Sequence, residues 1–299
     1  MPDAARVTDN HTCPCPTPAP HVGGPVDAPA SANVETNTLG AARATDKLTC
    51  TGVPAKNFIV TGSTTVEING KMAARKTDFT MHPGPGTIVQ GSGNVEIGGA
   101  TGGATLGNPD QGEQMCQNAR AGRHNPGSIQ QSYQNCGIES TRQIINQATG
   151  GNITEDALFQ ESLANGNAVT AQKGKWPFRQ DDIPNSGGTY DWSWPKIAGN
   201  HGVGMHNEPQ NLGNLGQAVA EGKGIVTGHD VATLWGPGNT GGHAITVTGI
   251  EYDANGNPQT VIYNDTGWGT CSARLNANTF NSSFLPGYQM GVTDNPIFK

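Results

Sequence analysis

One short phrase is written three times before residue 83: Ala4-Ala5-Arg6-Val7-Thr8-Asp9, Ala41-Ala42-Arg43-Ala44-Thr45-Asp46 and Ala73-Ala74-Arg75-Lys76-Thr77-Asp78. Four residues past each aspartate stands a metal-capable side chain, Cys13, Cys50 or His82. A second set, Ser31-Ala32-Asn33-Val34-Glu35, Ser63-Thr64-Thr65-Val66-Glu67 and Ser92-Gly93-Asn94-Val95-Glu96, runs between them. A period of about thirty residues means one small unit used three times. Each unit is too short and too polar to build a core, so the three must lean on one another about a shared axis.

The expected shape is an all-β three-sided prism. Val34, Val66, Ile68, Val95 and Ile97 alternate with polar residues, as strands with one buried face do, and Gly62, Gly70, Gly91 and Gly98 mark turns. So little apolar mass calls for another fastener where the units converge. His11, Cys13, Cys15, His21, Cys50 and His82 offer soft donors suited to tetrahedral zinc, six candidates for four places.

The 299 residues allow more than one domain. Residues 100–115 lack periodicity and read as a Gly-rich tether, which leaves residues 1–99 and 116–299 as separate bodies, the second long enough for a proper core. A net charge of −7 argues against a nucleic-acid partner bound through a basic surface. No apolar run reaches membrane-spanning length and no secretory leader pattern opens the chain, so a soluble protein made in the cytoplasm is expected. Six cysteines are too sparse for a disulfide scaffold. Cys116 and Cys271 read as bystanders.

Chemistry gathers in the second body. Cys136 opens a helical pattern in which Ile138, Thr141, Ile144 and Ile145 mark one face and Gly150-Gly151 stops it. A thiol there sits at the positive end of the helix dipole, which favours thiolate. A strand over residues 224–231 is followed by a glycine-rich loop, then by His243 at the start of the strand Ala244 to Ile250. After a turn at residues 253–258, a third strand over residues 259–263 ends at Asn264 and Asp265. Thiol, imidazole and a carboxylate or amide are the parts of an activated-cysteine site. Because neighbouring strand residues face opposite ways, only one of Asn264 and Asp265 can orient the ring. His229 beside Asp230 is a rival base, read as a surface strand residue. His201 and His206 lack a third donor at metal spacing. Trp192, Trp194 and Trp235 read as core or groove lining.

The three Ala-Ala-Arg phrases, with Asp9-Asn10-His11-Thr12-Cys13-Pro14, Pro20-His21-Val22-Gly23-Gly24-Pro25, Cys50-Thr51-Gly52 and Gly62 to Gly70, resemble a PAAR-repeat domain. That resemblance covers residues 1 to about 99. It implies a zinc-stabilised cone capping a trimeric VgrG spike of the type VI secretion machine and carrying an effector into neighbouring cells. It implies His11, His21, Cys50 and His82 as zinc ligands, near the tip, with Cys13 in reserve. Around His82, in the third repeat, the chain reads Met81-His82-Pro83-Gly84 where the family often has His-Gly-Gly.

Gln130, Cys136, Gly242-His243-Ala244-Ile245-Thr246-Val247-Thr248-Gly249 and Tyr263-Asn264-Asp265-Thr266 are similar to the papain-like cysteine peptidases, above all to the exporter subgroup that cuts after double glycine. The likeness implies an α+β fold, Cys136 as nucleophile, His243 as base, Asp265 as orienting residue with Asn264 as alternative, and Gln130 in the oxyanion hole. The chain departs from that subgroup in Asn135, usually aspartate, and in Thr266, usually proline.

Together the two resemblances imply a secreted toxin that cleaves proteins inside a competing bacterium, without a catalytic cofactor, and a cognate immunity protein. The same thiol machinery would also serve a deamidase, a transglutaminase or a peptidoglycan amidase, and a non-enzymatic extension of the spike is a third reading. Gly98-Gly99 and Gly102-Gly103 invite the idea of self-cleavage between the two bodies.

Overall fold

The computed structural model describes every residue except 17, 18, 52–54, 83, 176, 177 and 299, so Gly52 and Pro83 of the quoted motifs lie outside the described residues. The chain divides into two compact units: Met1–Leu106 with Ile250–Thr260, and Gly107–Gly249 with Val261–Lys299.

In the first unit the repeats close into a ring. Ala5 N–H donates to Ala74 O at 3.0 Å, Ala74 N–H to Ala42 O at 2.9 Å, and Ala42 N–H to Ala5 O at 2.9 Å. Only a methyl side chain fits so close an approach, which is why alanine recurs. Those alanines bury with Val26, Leu48, Ile59 and Ile88. Each arginine folds back on the aspartate three residues on: Arg6 to Asp9 at 3.0 Å, Arg43 to Asp46 at 2.8 Å and Arg75 to Asp78 at 3.0 Å. The intervening threonines, Thr8, Thr45 and Thr77, take φ of 74°, 74° and 78°. A strained left-handed residue at the same place in every repeat is held there by the bidentate pair around it.

The alternation read into the valines does not carry through. Val34, Val66 and Val95 are 38%, 36% and 37% exposed, whereas Ile97 is buried. The reason is a capped turn: the hydroxyls of Ser31, Ser63 and Ser92 accept the valine N–H groups at 3.0–3.1 Å. Three residues spent in such a turn break the two-residue period that a continuous strand would keep.

Residues 100–115 are no tether. Thr101–Gly103 pairs antiparallel with Thr61–Ser63, Thr105–Gly107 is a further strand, and a helix begins at Pro109. Glycine serves close packing here: a Cβ on Gly102 would lie 2.7 Å from Thr64 Cγ2. The carbonyls of Gly98 and Gly99 also accept from Ser63 Oγ and Arg75 Nη1 at 2.6 and 2.8 Å. Both double glycines are therefore pinned rather than offered to a protease.

The second unit is α+β. Its helices are α1 Pro109–Arg120, α2 Cys136–Thr149, α3 Glu155–Ala164, α4 Ser193–Gly199, α5 Leu212–Ala220, α6 Val231–Leu234 and α7 Ala277–Ser282. Its main strands are β1 Met205–Pro209, β2 Lys223–Asp230, β3 Gly242–Tyr252, β4 Pro258–Asp265, β5 Thr270–Asn276 and β6 Gln289–Pro296, in the order β1-β6-β2-β3-β4-β5. The end of the β3–β4 hairpin is the part that groups with the first unit. Helix α2 stops as its sequence predicts, with Gly150 in the left-handed region at φ 68°. It is buried on every side through Ile145, polar residues included, so it is the central helix rather than a one-faced surface one.

Cys116 and Cys271, read as bystanders, form a disulfide between α1 and β5, with Cα atoms 5.6 Å apart. A pair separated by 155 positions leaves no local trace in the sequence. Closing so long a loop restricts the unfolded chain, and replacing both cysteines by alanine should cost roughly 2–5 kcal/mol of stability. Denaturant unfolding without reductant measures it, and an unchanged midpoint would refute the assignment.

Candidate active site and metal cluster

Cys136 is the first residue of α2, where main-chain N–H groups lack helical partners. His243 is the second residue of β3 and Asp265 the last of β4, neighbours in the sheet. His243 Nε2 lies 2.9 Å from Asp265 Oδ1. His243 and the Cys136 thiol line one cleft, and with Nε2 engaged by Asp265, Nδ1 is the ring nitrogen left for the sulfur. Sequence reasoning named these three residues, and folding brings them together in one line.

Asp265 is fixed from several sides. Its Oδ1 also accepts the N–H groups of Gly267 at 2.9 Å and Trp268 at 3.1 Å, and its Oδ2 accepts the Trp235 indole N–H at 2.7 Å. Trp235 lies against the His243 ring, centroids 4.6 Å apart. A side chain at position 267 would collide with both, its Cβ 2.9 Å from His243 Cε1 and 3.0 Å from Trp235, so glycine is required. Trp235→Phe keeps the packing and removes the donor. The charge-assisted bond lost should lower kcat/KM about 10- to 100-fold, and a change under about twofold would show the carboxylate held without it.

Electrostatics follow from that geometry. Burial lowers the His243 pKa, but the bonds to Asp265 and Cys136 outweigh it and bring it up to about 9. Burial raises the Cys136 thiol, yet the hydrogen bond and charge of His243, with the Ala244 and Gly137 N–H groups, leave it below its ordinary value. For Asp265 burial again opposes ionisation, and His243, Trp268 and Trp235 hold the carboxyl below the usual range. The arrangement is that of a thiolate–imidazolium pair steadied by a carboxylate.

Asn264 faces the other way, as strand alternation requires. It is buried, donating to Gly112 O at 2.8 Å and Gln143 Oε1 at 3.1 Å. Gln130 is exposed and does not line the cleft of about 370 Å³ that holds Cys136 and His243. Gln134 lines it, with Val169, Tyr190, Trp194, Leu285 and Tyr288. Trp194 is 1% exposed, whereas Trp192 is exposed and stacks on Tyr190. His229 is fully buried, against the expectation of a surface residue, because β2 is an interior strand. Its ring nitrogens meet Ser283 Oγ at 2.7 Å and Thr227 Oγ1 at 2.9 Å, and burial pushes its pKa down to about 3. A neutral ring with both nitrogens taken is no base. His201 and His206 make carboxylate contacts, with Glu161 and with Glu208 and Asp294.

Sequence reasoning missed the support beneath the nucleophile. Glu139, in the first turn of α2, pairs with Arg142 Nε at 2.6 Å and with Arg123. Glu155 accepts from Ser132 N–H at 2.8 Å, His124 N–H at 3.0 Å and Asn135 Nδ2 at 3.1 Å. All four charged residues are buried. Their only sequence signal is the i,i+3 spacing of Glu139 and Arg142.

In the first unit, Cys13, His21, Cys50 and His82 bring one donor atom each within 4.8 Å of one another. His21 Nδ1 and His82 Nδ1 are 3.1 Å apart, and Cys13 Sγ is 3.4 and 3.1 Å from them. Burial pushes the Cys50 thiol up to about 12 and the His82 imidazole down to about 4. A divalent ion would relieve the first and would use the neutral ring of the second, so the set fits a metal. Cys13 stands where His11 was expected.

Residues 17–85 match the PAAR motif family. No curated protein matches the chain. Among solved structures, one described as a C39-like peptidase from Bacillus anthracis is similar at 14% identity and a TM-score of 0.38, over 56% of this chain and 90% of that one.

Proposed function

We propose that the chain is a type VI secretion spike-tip protein that delivers a cysteine peptidase into a competing bacterium. The observation that carries the enzymatic half is the alignment of Cys136 at a helix N-terminus, His243 and Asp265 over an open cleft. In this reading His243 takes the thiol proton, and the thiolate attacks a substrate carbonyl. The Cys136 N–H receives the developing oxyanion, and His243 then protonates the leaving amine. Water, activated by the same imidazole, releases the acyl group and restores the thiol. A side-chain amide would complete the oxyanion hole: Gln134 stands on the cleft wall, whereas Gln130, the residue the family resemblance suggests, does not line it.

The delivery half rests on the PAAR match and on pseudo-threefold construction. Each repeat presents an exposed valine followed by an exposed glutamate, Val34-Glu35, Val66-Glu67 and Val95-Glu96. Three equivalent patches suit a trimeric partner of the VgrG type. Zinc is the metal assigned to the Cys and His cluster, where it would cross-link the repeats and activate nothing. An immunity protein in the producing cell follows from the toxicity of the proposed activity.

The test is expression of the full chain in bacterial cytoplasm, wild type beside Cys136→Ala, with mapping of new protein N-termini. New termini that depend on Cys136 support peptidase action. Ammonia release without chain cleavage would replace it with deamidation, and identical proteomes would end the enzymatic reading.

A further inference from the structure

We infer that the metal site of the first unit is a charge-neutral Cys2His2 centre made by Cys13, His21, Cys50 and His82, with His11 excluded from the ligand set by the amide of Asn57. The inference rests on the reading that this segment holds zinc, and specifies which side chains do so.

Hydrogen bonds assign each ring. His82 Nε2 lies 2.7 Å from Lys56 O, a carbonyl that can only accept, so Nε2 carries the proton and the Nδ1 lone pair points into the cluster. For His21 it is also Nδ1 that faces the cluster, and its Nε2 meets no hydrogen-bond partner among the described residues, so nothing commits the ring the other way. Two imidazole lone pairs 3.1 Å apart repel unless a cation or a proton lies between them. Cys13 Sγ at 3.1 and 3.4 Å, and Cys50 Sγ at 3.6 Å from His82 Nδ1, complete the group. Donors about 2.0–2.3 Å from one ion stand at such separations along tetrahedral edges.

His11 lies close by, its Nε2 3.6 Å from Cys50 Sγ, but it stands outside the four donors that come within 4.8 Å of one another. Its Nδ1 is 2.7 Å from Gly24 O, which fixes the proton on Nδ1 and leaves Nε2 as the acceptor. Asn57 Nδ2 is 3.3 Å from that nitrogen. The orientation of the Asn57 amide is not free, because its Oδ1 already accepts the N–H groups of Phe58 at 2.9 Å and His82 at 3.2 Å. Nδ2 is therefore the end that meets His11. Asn57 is 0% exposed, and so is Cys50. Charge gives the same answer. Two thiolates cancel a divalent ion, whereas three imidazoles and one thiolate would leave a buried net charge of one, which a low-dielectric interior penalises.

X-ray absorption at the zinc edge of the purified full chain tests the assignment, together with metal content and the absorption of the cobalt-substituted protein. The expected shell is two sulfurs at about 2.3 Å and two nitrogens at about 2.0 Å. His11→Ala should leave that shell and the metal content unchanged. Cys13→Ser should lose one sulfur and about half of the thiolate-to-cobalt charge-transfer intensity. Should that variant fail to fold, the wild-type and His11→Ala shells still decide. One sulfur with three nitrogens, three sulfurs, or loss of a nitrogen in His11→Ala would overturn the inference while leaving a metal-bound segment. A wild-type chain that holds no metal would overturn both.

Discussion

Cys136→Ala is expected to lower the rate of peptide-bond cleavage by roughly 10⁶-fold, with unfolding little changed, since sulfur is the attacking atom and no other described side chain in the cleft replaces it. His243→Ala should cost nearly as much, and the double variant scarcely more, because the two act as one unit. The pH profile carries more information than either loss. The reactive form needs sulfur deprotonated and imidazole protonated. With His243 raised to about 9 and Cys136 below its ordinary value, that form spans the neutral range. Turnover should fall as pH rises through about 9, when the imidazolium is lost, and should fall on the acid side as the thiolate is protonated. These limbs belong to the pair rather than to either residue. The sign for folding is parallel. A histidine whose pKa is raised on folding contributes stability that is complete below its unfolded value of about 6.5 and is lost toward 9. Measurement of kcat/KM from pH 5 to 10 decides, and activity still rising above 9 would mean that His243 works as a neutral base on a neutral thiol.

Legibility in the sequence followed the range of the interactions involved. The α2 stop at Gly150, the β2, β3 and β4 strands and the turn between the last two are set by neighbours in the chain, and each lies where its pattern predicts. The open choice between Asn264 and Asp265 needed only a direction, which strand alternation supplies once one of them is seen against His243. What stayed hidden depends on contacts between distant segments. Trp235 reaches Asp265 from α6's C-terminal edge, 30 positions away, with no spacing rule to announce it. The Cys116 to Cys271 bond is of the same kind. Glycines at residues 98–103 misled for a different reason. In composition a flexible stretch and a tightly packed one look alike, and only the atoms a Cβ would strike tell them apart.

Glu139→Ala is expected to destabilise the second unit by about 3–5 kcal/mol, a large share of the roughly 5–15 kcal/mol that holds a domain folded. The carboxylate takes Arg142 through Nε on Oε1 at 2.6 Å and Nη2 on Oε2 at 2.9 Å, and Arg123 on Oε2 as well, so its loss strands the buried Arg142 guanidinium and leaves Arg123 only Glu155, 3.6 Å away. Arg142 would keep its bonds to Ala119 O at 2.7 Å and Ile153 O at 2.9 Å, but carbonyls do not cancel its charge. Replacing the pair together, Glu139→Leu with Arg142→Met, removes the stranded charge, leaves Arg123 with Glu155 and should recover most of the loss. Stability alone does not explain an acid so near the nucleophile. Glu139 follows Cys136 by three residues on the same helix, where an unpaired carboxylate would oppose a thiolate. The two arginines neutralise it, so Arg142→Met should move the acid limb of the pH profile upward as well as lower stability. Urea unfolding and the acid limb are separate readouts. A Glu139→Ala protein within about 1 kcal/mol of wild type would show that solvent reaches the network, and an unmoved acid limb in Arg142→Met would confine these charges to holding the fold.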